Sequence, residues 1–119
     1  CAAGNGGVWC SVIDLHRYFL ALNKPAFLNQ EIIRNSMEVK SFTNWSPDKA
    51  PANGFSWFNT KTINGLKRIG HTGSQSGFRA DFEMVPEKNL LVCMLFNTPY
   101  PVTKLMTAIE KILVEEKIL

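Results

Sequence analysis

His71, Thr72, Ser74 and Ser76 crowd into one short run, His71-Thr72-Gly73-Ser74-Gln75-Ser76-Gly77, and they carry most of the chemistry this chain could perform. A serine hydroxyl becomes a nucleophile when a neighbouring base takes its proton, and imidazole suits that task near neutral pH. A serine activated in this way also needs a buried carboxylate to orient the imidazole, and Asp81 qualifies only by distance along the chain, so this mechanism is disfavoured. Binding is the other use of such a run. Gly73 and Gly77 would let the main chain adopt φ values closed to other residues and approach a ligand closely, while the imidazole and hydroxyls supply donors and acceptors. The run is not a Gly-x-Ser-x-Gly elbow, because its middle residue is Gln75.

The elements that must position these residues are legible from periodicity. Apolar and polar residues alternate on both sides of the run across residues 68–83, so one strand should enter the Gly-rich kernel and a second should leave it. Residues 54–62, with Phe55, Trp57 and Phe58, predict a strand. Asn64-Gly65 predicts a two-residue turn, and 66–71 the returning strand, with His71 at its far end. Residues 78–85 alternate Phe78, Ala80, Phe82 and Met84. The turn Pro86-Glu87-Lys88-Asn89 follows, and then 90–96 as a nearly all-apolar central strand covered on both faces. Arg79, opposite Phe78 and Ala80, should point outward into solvent.

Helices flank this sheet. Ser11 should cap a helix with Val12, Leu15, Phe19 and Leu22 on its core face and Asp14 in its first turn. His16 and Arg17 fall off that stripe and should be solvated. Pro25 ends the helix, and residues 28–37 predict a second one, with Asn29 as its cap and Ile32 and Ile33 as anchors. Residues 101–119 predict a closing helix with Val102, Leu105, Met106, Ile109, Ile112 and Leu113 inward. Residues 40–53 read as a long irregular loop pinned by Trp45, and the first ten residues as a loop turned by Gly4, Gly6 and Gly7. The expected fold class is α+β: an antiparallel sheet of about four strands packed against helices, the last of them long.

Composition narrows the partners. The chain has 119 residues, 45% hydrophobic and 19% charged, with a net charge of +3. That suits one globular unit burying ~65% of its unfolded surface, and the scattered basic residues argue against nucleic acid as a partner. Cys1, Cys10 and Cys93 allow at most one disulfide and show no metal-ligand spacing, and Cys93 in its apolar run should act as a small hydrophobe. His16 and His71 are too few and too differently placed for a zinc site. No cofactor is expected. No apolar run approaches the ~20 residues a membrane span requires.

His71-Thr72-Gly73 resembles the third motif of the penicillin-recognising serine hydrolases, in the branch of class C β-lactamases, DD-peptidases and related esterases, where Lys-Thr-Gly is often His-Thr-Gly. Neighbours occur in the family's order: Gly6-Gly7-Val8-Trp9-Cys10-Ser11 before Asp14-Leu15, then Asn53-Gly54-Phe55-Ser56-Trp57, then Gly77-Phe78 leading to Val85-Pro86 and Phe96-Asn97-Thr98. The family shows a Gly-Gly-Leu-x-Ser-Thr-x-Asp-Leu stretch, a Tyr-Gly-Leu-Gly-Trp stretch, the motif, and a strand closing in Ser-Asn. On this resemblance, residues 1–119 form a single partial domain, the C-terminal portion of the family's fold. Its Ser-x-x-Lys nucleophile and Tyr-x-Asn element would precede Cys1. Ser46-Pro47-Asp48-Lys49 fits Ser-x-x-Lys by letter, but the family places that motif at the start of a buried helix well upstream of the Gly-Gly stretch, whereas here it sits in a loop rich in Asn, Pro and Asp, and it is read as a chance match.

The resemblance implies acyl transfer on an amide or ester: a β-lactam, a D-Ala peptide or a small ester. His71, Thr72, Gly73 and Ser74 would be the catalytic contribution, with the Ser74 N–H as one oxyanion donor, and Ser76 and Gly77 would contact substrate. A histidine in place of lysine weakens recognition of anionic carboxylates, since imidazole is only partly charged near its reference pKa of ~6.5. The chain alone should be inactive. The alternative is a non-catalytic module that binds cell-wall peptides. The partners implied are a small-molecule or peptide substrate, the N-terminal part of the same domain and, through exposed apolar surface, a second copy of the chain. Export to the bacterial periplasm or cell envelope is what the resemblance implies for location.

Overall fold

Ser11 opens the first helix, α1 (Val12–Leu22), with a reciprocal capping box: its Oγ accepts from the Asp14 N–H (3.2 Å) while its own N–H donates to Asp14 Oδ2 (3.0 Å). Such caps satisfy main-chain donors that the helix cannot, for about 1 kcal/mol. The Ser11 N–H, and after it the Ser11 hydroxyl donating to Asp14 Oδ2 at 2.7 Å, hold the Asp14 carboxyl below its ordinary pKa, with Arg17 nearby. Asn29 caps α2 (Gln30–Met37) with a single bond, its side chain accepting from the Glu31 N–H at 2.8 Å. The computed structural model describes residues 7–26, 28–40 and 52–119. The expectations for Cys1, for Gly4 and Gly6, and for Trp45 and Ser46-Pro47-Asp48-Lys49 lie outside the described residues.

The sheet is antiparallel with its strands in chain order: β1 (Ala52–Asn53), β2 (Phe58–Lys61), β3 (Lys67–Gln75), β4 (Phe78–Val85) and β5 (Leu90–Phe96), followed by α3 (Val102–Glu115). Among the described residues it has five strands where about four were expected, and the α+β class holds. The expected strand over 54–62 is divided, because Gly54 sits against the end of α2 and Ser56 takes a left-handed φ of 62°. A Cβ on Gly54 would lie 2.5 Å from the Ser36 carbonyl oxygen and 2.9 Å from that of Glu38, so only glycine fits.

Two turns also differ from expectation. The β2–β3 loop has three residues, 63–65, closed by Thr62 N–H to the Leu66 carbonyl (3.0 Å) and Gly65 N–H to the Thr62 carbonyl (3.0 Å), with Gly65 at φ 87°. The Gly-rich kernel is not a loop, since β3 runs on to Gln75 and only Ser76 (φ 43°) and Gly77 (φ 89°) make the turn into β4. His71 therefore lies mid-strand, and of the kernel's glycines Gly77 alone uses a positive φ.

Cross-strand partners share a face, which assigns two sides to the sheet. Ile69, His71 and Gly73 stand with Met84, Phe82 and Ala80 of β4 and with Leu91 and Cys93 of β5. This face carries the core, where Ile69 and Met84 pack with Phe19 and Leu22 of α1 and Ile33 of α2. The other face carries Arg68, Asp81 and Glu83, and α3 docks there. The stripe expected on α3 holds at Val102, Leu105, Met106, Ile109 and Leu113 and fails only at Ile112, with Glu110 buried beside it. Ile112 is 58% exposed and Glu110 only 3%, because the Glu110 carboxylate accepts from Arg68 Nη1 at 2.5 Å and from the Ile63 N–H at 3.1 Å.

Candidate functional site

β3 is longer than its neighbour, and that difference builds the site. β2 begins at Phe58, opposite Gly70, because residues 54–57 turn back on themselves with Gly54 N–H bonded to the Trp57 carbonyl at 2.8 Å. Residues 71–75 are then paired to β4 on one side, and among the described residues no strand pairs them on the other. In an antiparallel ladder alternate residues direct N–H and C=O to the same neighbour. Leu66 bonds toward β2, so Arg68 and Gly70 do too, and Thr72 and Ser74 continue the alternation past the end of β2. Lys67 fits the other parity, its N–H donating to Glu87 Oε1 (3.4 Å) just beyond β4. The main-chain groups of Thr72 and Ser74 thus face the vacated edge.

The side chains around that edge come from β2, β3, β4 and the segment before α1. His71 is exposed, and its ring stacks on Phe58 with centroids 4.6 Å apart and planes 13° from parallel. Phe58 so limits the imidazole to one side of its ring plane. Ser74 Oγ is hydrogen-bonded to Arg79 Nη1, and Arg79 also donates to the Phe78 carbonyl at 3.1 Å. Arg79 is therefore held at the site rather than extended into solvent as its alternation suggested. Trp9, from the segment preceding α1, meets Phe78 edge to face at 5.5 Å and 74°. Gly73 is open on its cleft side, where an added Cβ would meet only Ala80 Cβ at 3.5 Å.

Beneath Thr72 and Gly70 lies a buried acid pair that periodicity did not reveal. Asp81 is 3% exposed and Glu83 8%, and among the described residues no donor is hydrogen-bonded to Asp81 Oδ1 or Glu83 Oε2. Burial first, then the Asp81 charge, push the Glu83 carboxyl up to about 7, against the pull of Arg68. Burial raises Asp81 as well. Arg68 Nε stands 3.8 Å from Glu83 Oε2 while its Nη1 serves Glu110, so one guanidinium faces three carboxyl groups. Asp81 pairs with Thr72 across the strands and points to the face opposite His71, so it does not orient that imidazole.

The sequence-predicted residues divide accordingly. His71, Thr72, Gly73 and Ser74 are exposed on one strand beside the open edge, and Ser76 and Gly77 form the hairpin turn beyond them. Arg79 and Phe58 were missed. Arg79 could have been found by reading Ser76-Gly77 as a two-residue turn, which places Ser74 opposite Arg79. Nothing local announces the Phe58 stack. Among the described residues no group of three or more His, Cys, Asp or Glu could hold a metal ion, and no helix is long and apolar enough to cross a membrane.

The beta-lactamase family model matches residues 2–115. The chain belongs to the beta-lactamase family. No curated protein and no solved structure matches it significantly. Membership gives the chain a serine-hydrolase-like fold, and the α+β layering described above, an antiparallel sheet with helices on both faces, agrees with it. Beta-lactamase family proteins are often exported.

Proposed function

We propose that this chain is the C-terminal portion of a serine hydrolase acting by acyl transfer on an amide or ester. The observation that carries the reading is the open edge at Ser74, whose N–H is directed away from β4 and toward no strand among the described residues. In acyl transfer a serine oxygen bonds to the carbonyl carbon and the C=O electron pair moves to oxygen. That oxyanion must meet fixed N–H donors where its charge develops. Ser74 supplies one such donor at no cost in reorganisation, and the nucleophile's own amide, outside these residues, would supply the second. Collapse of the intermediate expels the amine or alcohol and leaves an acyl-enzyme, which water hydrolyses.

His71 would take the hydrogen-bonding place of the family's lysine, steadied by Phe58, and Thr72 would offer its hydroxyl to the same substrate group. Arg79 stands beside Ser74 as a permanent cation, which partly offsets the charge lost with histidine and keeps carboxylate-bearing substrates in range. Small esters remain as well suited as β-lactams or D-Ala peptides. Export to the cell envelope belongs to the same proposal.

The test is hydrolysis of a chromogenic cephalosporin and a short p-nitrophenyl ester by the protein carrying its Ser-x-x-Lys helix, beside its His71→Ala variant and residues 1–119 alone. Turnover that is strongly reduced in the variant and absent from residues 1–119 supports acyl transfer, and the preferred substrate names the subclass. No turnover by a well-folded protein refutes it. One observation favours a second reading, a binding module for cell-wall peptides: the described residues contain no serine with both a base and an orienting carboxylate. Affinity for D-Ala peptides without turnover would establish that reading.

A further inference from the structure

Cys10 and Cys93 are far apart in the sequence and neighbours in the fold. Cys93 projects from the middle of β5 onto the face that carries α1, across from Phe82. Its Sγ lies 3.9 Å from the carbonyl oxygen of Val12, in the first turn of that helix. A few residues earlier, Trp9 meets Phe78 at the end of β4 that pairs with the last residues of β5. The chain from Trp9 to Val12 therefore runs over this face from the Phe96 end of β5 inward to Cys93. Cys10 lies between the two contacts. Both thiols are free, Cys10 exposed and Cys93 half-buried. Burial first, then the charge of the nearby Cys10, push the Cys93 thiol above its ordinary pKa.

Cys10 is also free to adjust. It precedes the Ser11 cap, whose N–H, Oγ and carbonyl make the opening bonds of α1, and among the described residues no hydrogen bond fixes Cys10 itself. A disulfide needs Cα atoms about 4.4–6.8 Å apart. Moving residues 7–10 to reach that spacing breaks no bond of the helix.

We propose that Cys10 and Cys93 form a redox latch: a low-molecular-weight disulfide, RSSR, oxidises the pair to an intrachain disulfide that ties the segment before α1 to β5. The Cys10 thiolate attacks one sulfur of RSSR, the S–S bond breaks and one RS⁻ leaves, so Cys10 carries a mixed disulfide. The Cys93 thiolate then attacks the Cys10 sulfur and expels the second RS⁻. The two protons lost by the cysteines end on two RSH, and the two electrons that reduce RSSR come from the protein thiols. Burial sets this order, since Cys10 is the accessible thiol while Cys93 is half-buried and held protonated at neutral pH. Packing as a small hydrophobe, which the sequence implied for Cys93, leaves that second role open to it. Both partners belong to these residues, so the contact needs no other segment, and the inference does not rest on the acyl-transfer reading.

The test is oxidation of the folded Cys1→Ser protein by glutathione disulfide, followed by alkylation of remaining thiols, trypsin digestion and mass spectrometry. Cys1 is replaced because trypsin leaves Cys1 and Cys10 in one peptide, which ends at Arg17. The expected product is that peptide joined to residues 89–104, which carry Cys93, and a reductant should separate the two. The closed form should melt on the order of 10 °C above the reduced form, because the bridge spans most of the chain. Cys93→Ser should stop at glutathione on Cys10. If that variant fails to fold, Cys10→Ser, at an exposed position, should yield no linked peptide. Glutathione retained on Cys10 beside a free Cys93, no reaction at Cys10, or a link that forms only in urea overturns the proposal.

Discussion

Ser74 separates two roles that a single side chain usually confounds. Its N–H faces the open edge, while its Oγ is bonded to Arg79. Ser74→Pro removes the donor without touching the β4 ladder, and Gly73 before it is already extended, as proline requires. In the catalytically competent protein we expect kcat to fall about 100-fold or more, the scale for loss of one oxyanion donor, with little change in Tm. Ser74→Ala keeps the N–H and should retain kcat within about tenfold while raising KM for carboxylate-bearing substrates, because only the Arg79 contact is lost. Steady-state kinetics on one anionic and one neutral substrate checks both. Equal losses in the two variants would mean that the hydroxyl, not the amide, matters.

At the scale of elements, the break between β1 and β2 decides where the site opens, and it is made at a strained residue. Ser56 occupies the position of the second glycine in the family's Tyr-Gly-Leu-Gly-Trp pattern, yet it has a φ of 62°. A side chain in the left-handed region costs roughly 1–2 kcal/mol. Ser56→Gly should therefore stabilise the chain by about 1 kcal/mol, less the extra entropy glycine carries when unfolded. Urea denaturation will read that as a higher midpoint at unchanged slope; no shift would mean that the turn relaxes its strain elsewhere.

The other element-scale joint is Glu110, which ties α3 to Arg68 and to the Ile63 N–H. Glu110→Ala strands a partly buried guanidinium and a main-chain donor, for an expected loss of about 3 kcal/mol. Glu110→Gln should lose less, because an amide oxygen can still accept from Ile63. The same denaturation series measures both.

For the whole molecule, the buried acids make stability depend on pH in an unusual direction. Glu83 is raised to about 7 from its ordinary 4.5 by burial and by Asp81. The native chain then binds more protons than the unfolded chain between those values, so stability falls as pH rises from about 5 through 7. Glu83→Gln never ionises. It should flatten that limb and stabilise the chain at pH 8 by on the order of 1–2 kcal/mol. Thermal melts across the pH range test this. A wild-type curve that rises over the interval would contradict it.

How much of this was legible beforehand depends on the range of the interaction. Ser11 and Asp14, Asn29, the bounds of β4 and β5 and the run His71-Thr72-Gly73-Ser74 follow from neighbours a few residues apart, where spacing and hydrogen-bonding type leave few alternatives. The α+β class and the family resemblance rest on the same local patterns in order. Other features depend on chain segments meeting in space. Ser56 and Gly54 divide a strand because α2 ends against them. His71 stacks on Phe58 because β2 stops opposite Gly70. Arg79 returns to Ser74 because the hairpin turn has two residues, and Glu110 is buried because Arg68 needs a partner. β5 is apolar on both faces, which periodicity reads as central. Only the order of strands decides that, among the described residues, it ends the sheet, since side-chain pattern reports which faces are covered and says nothing of the hydrogen-bonding direction.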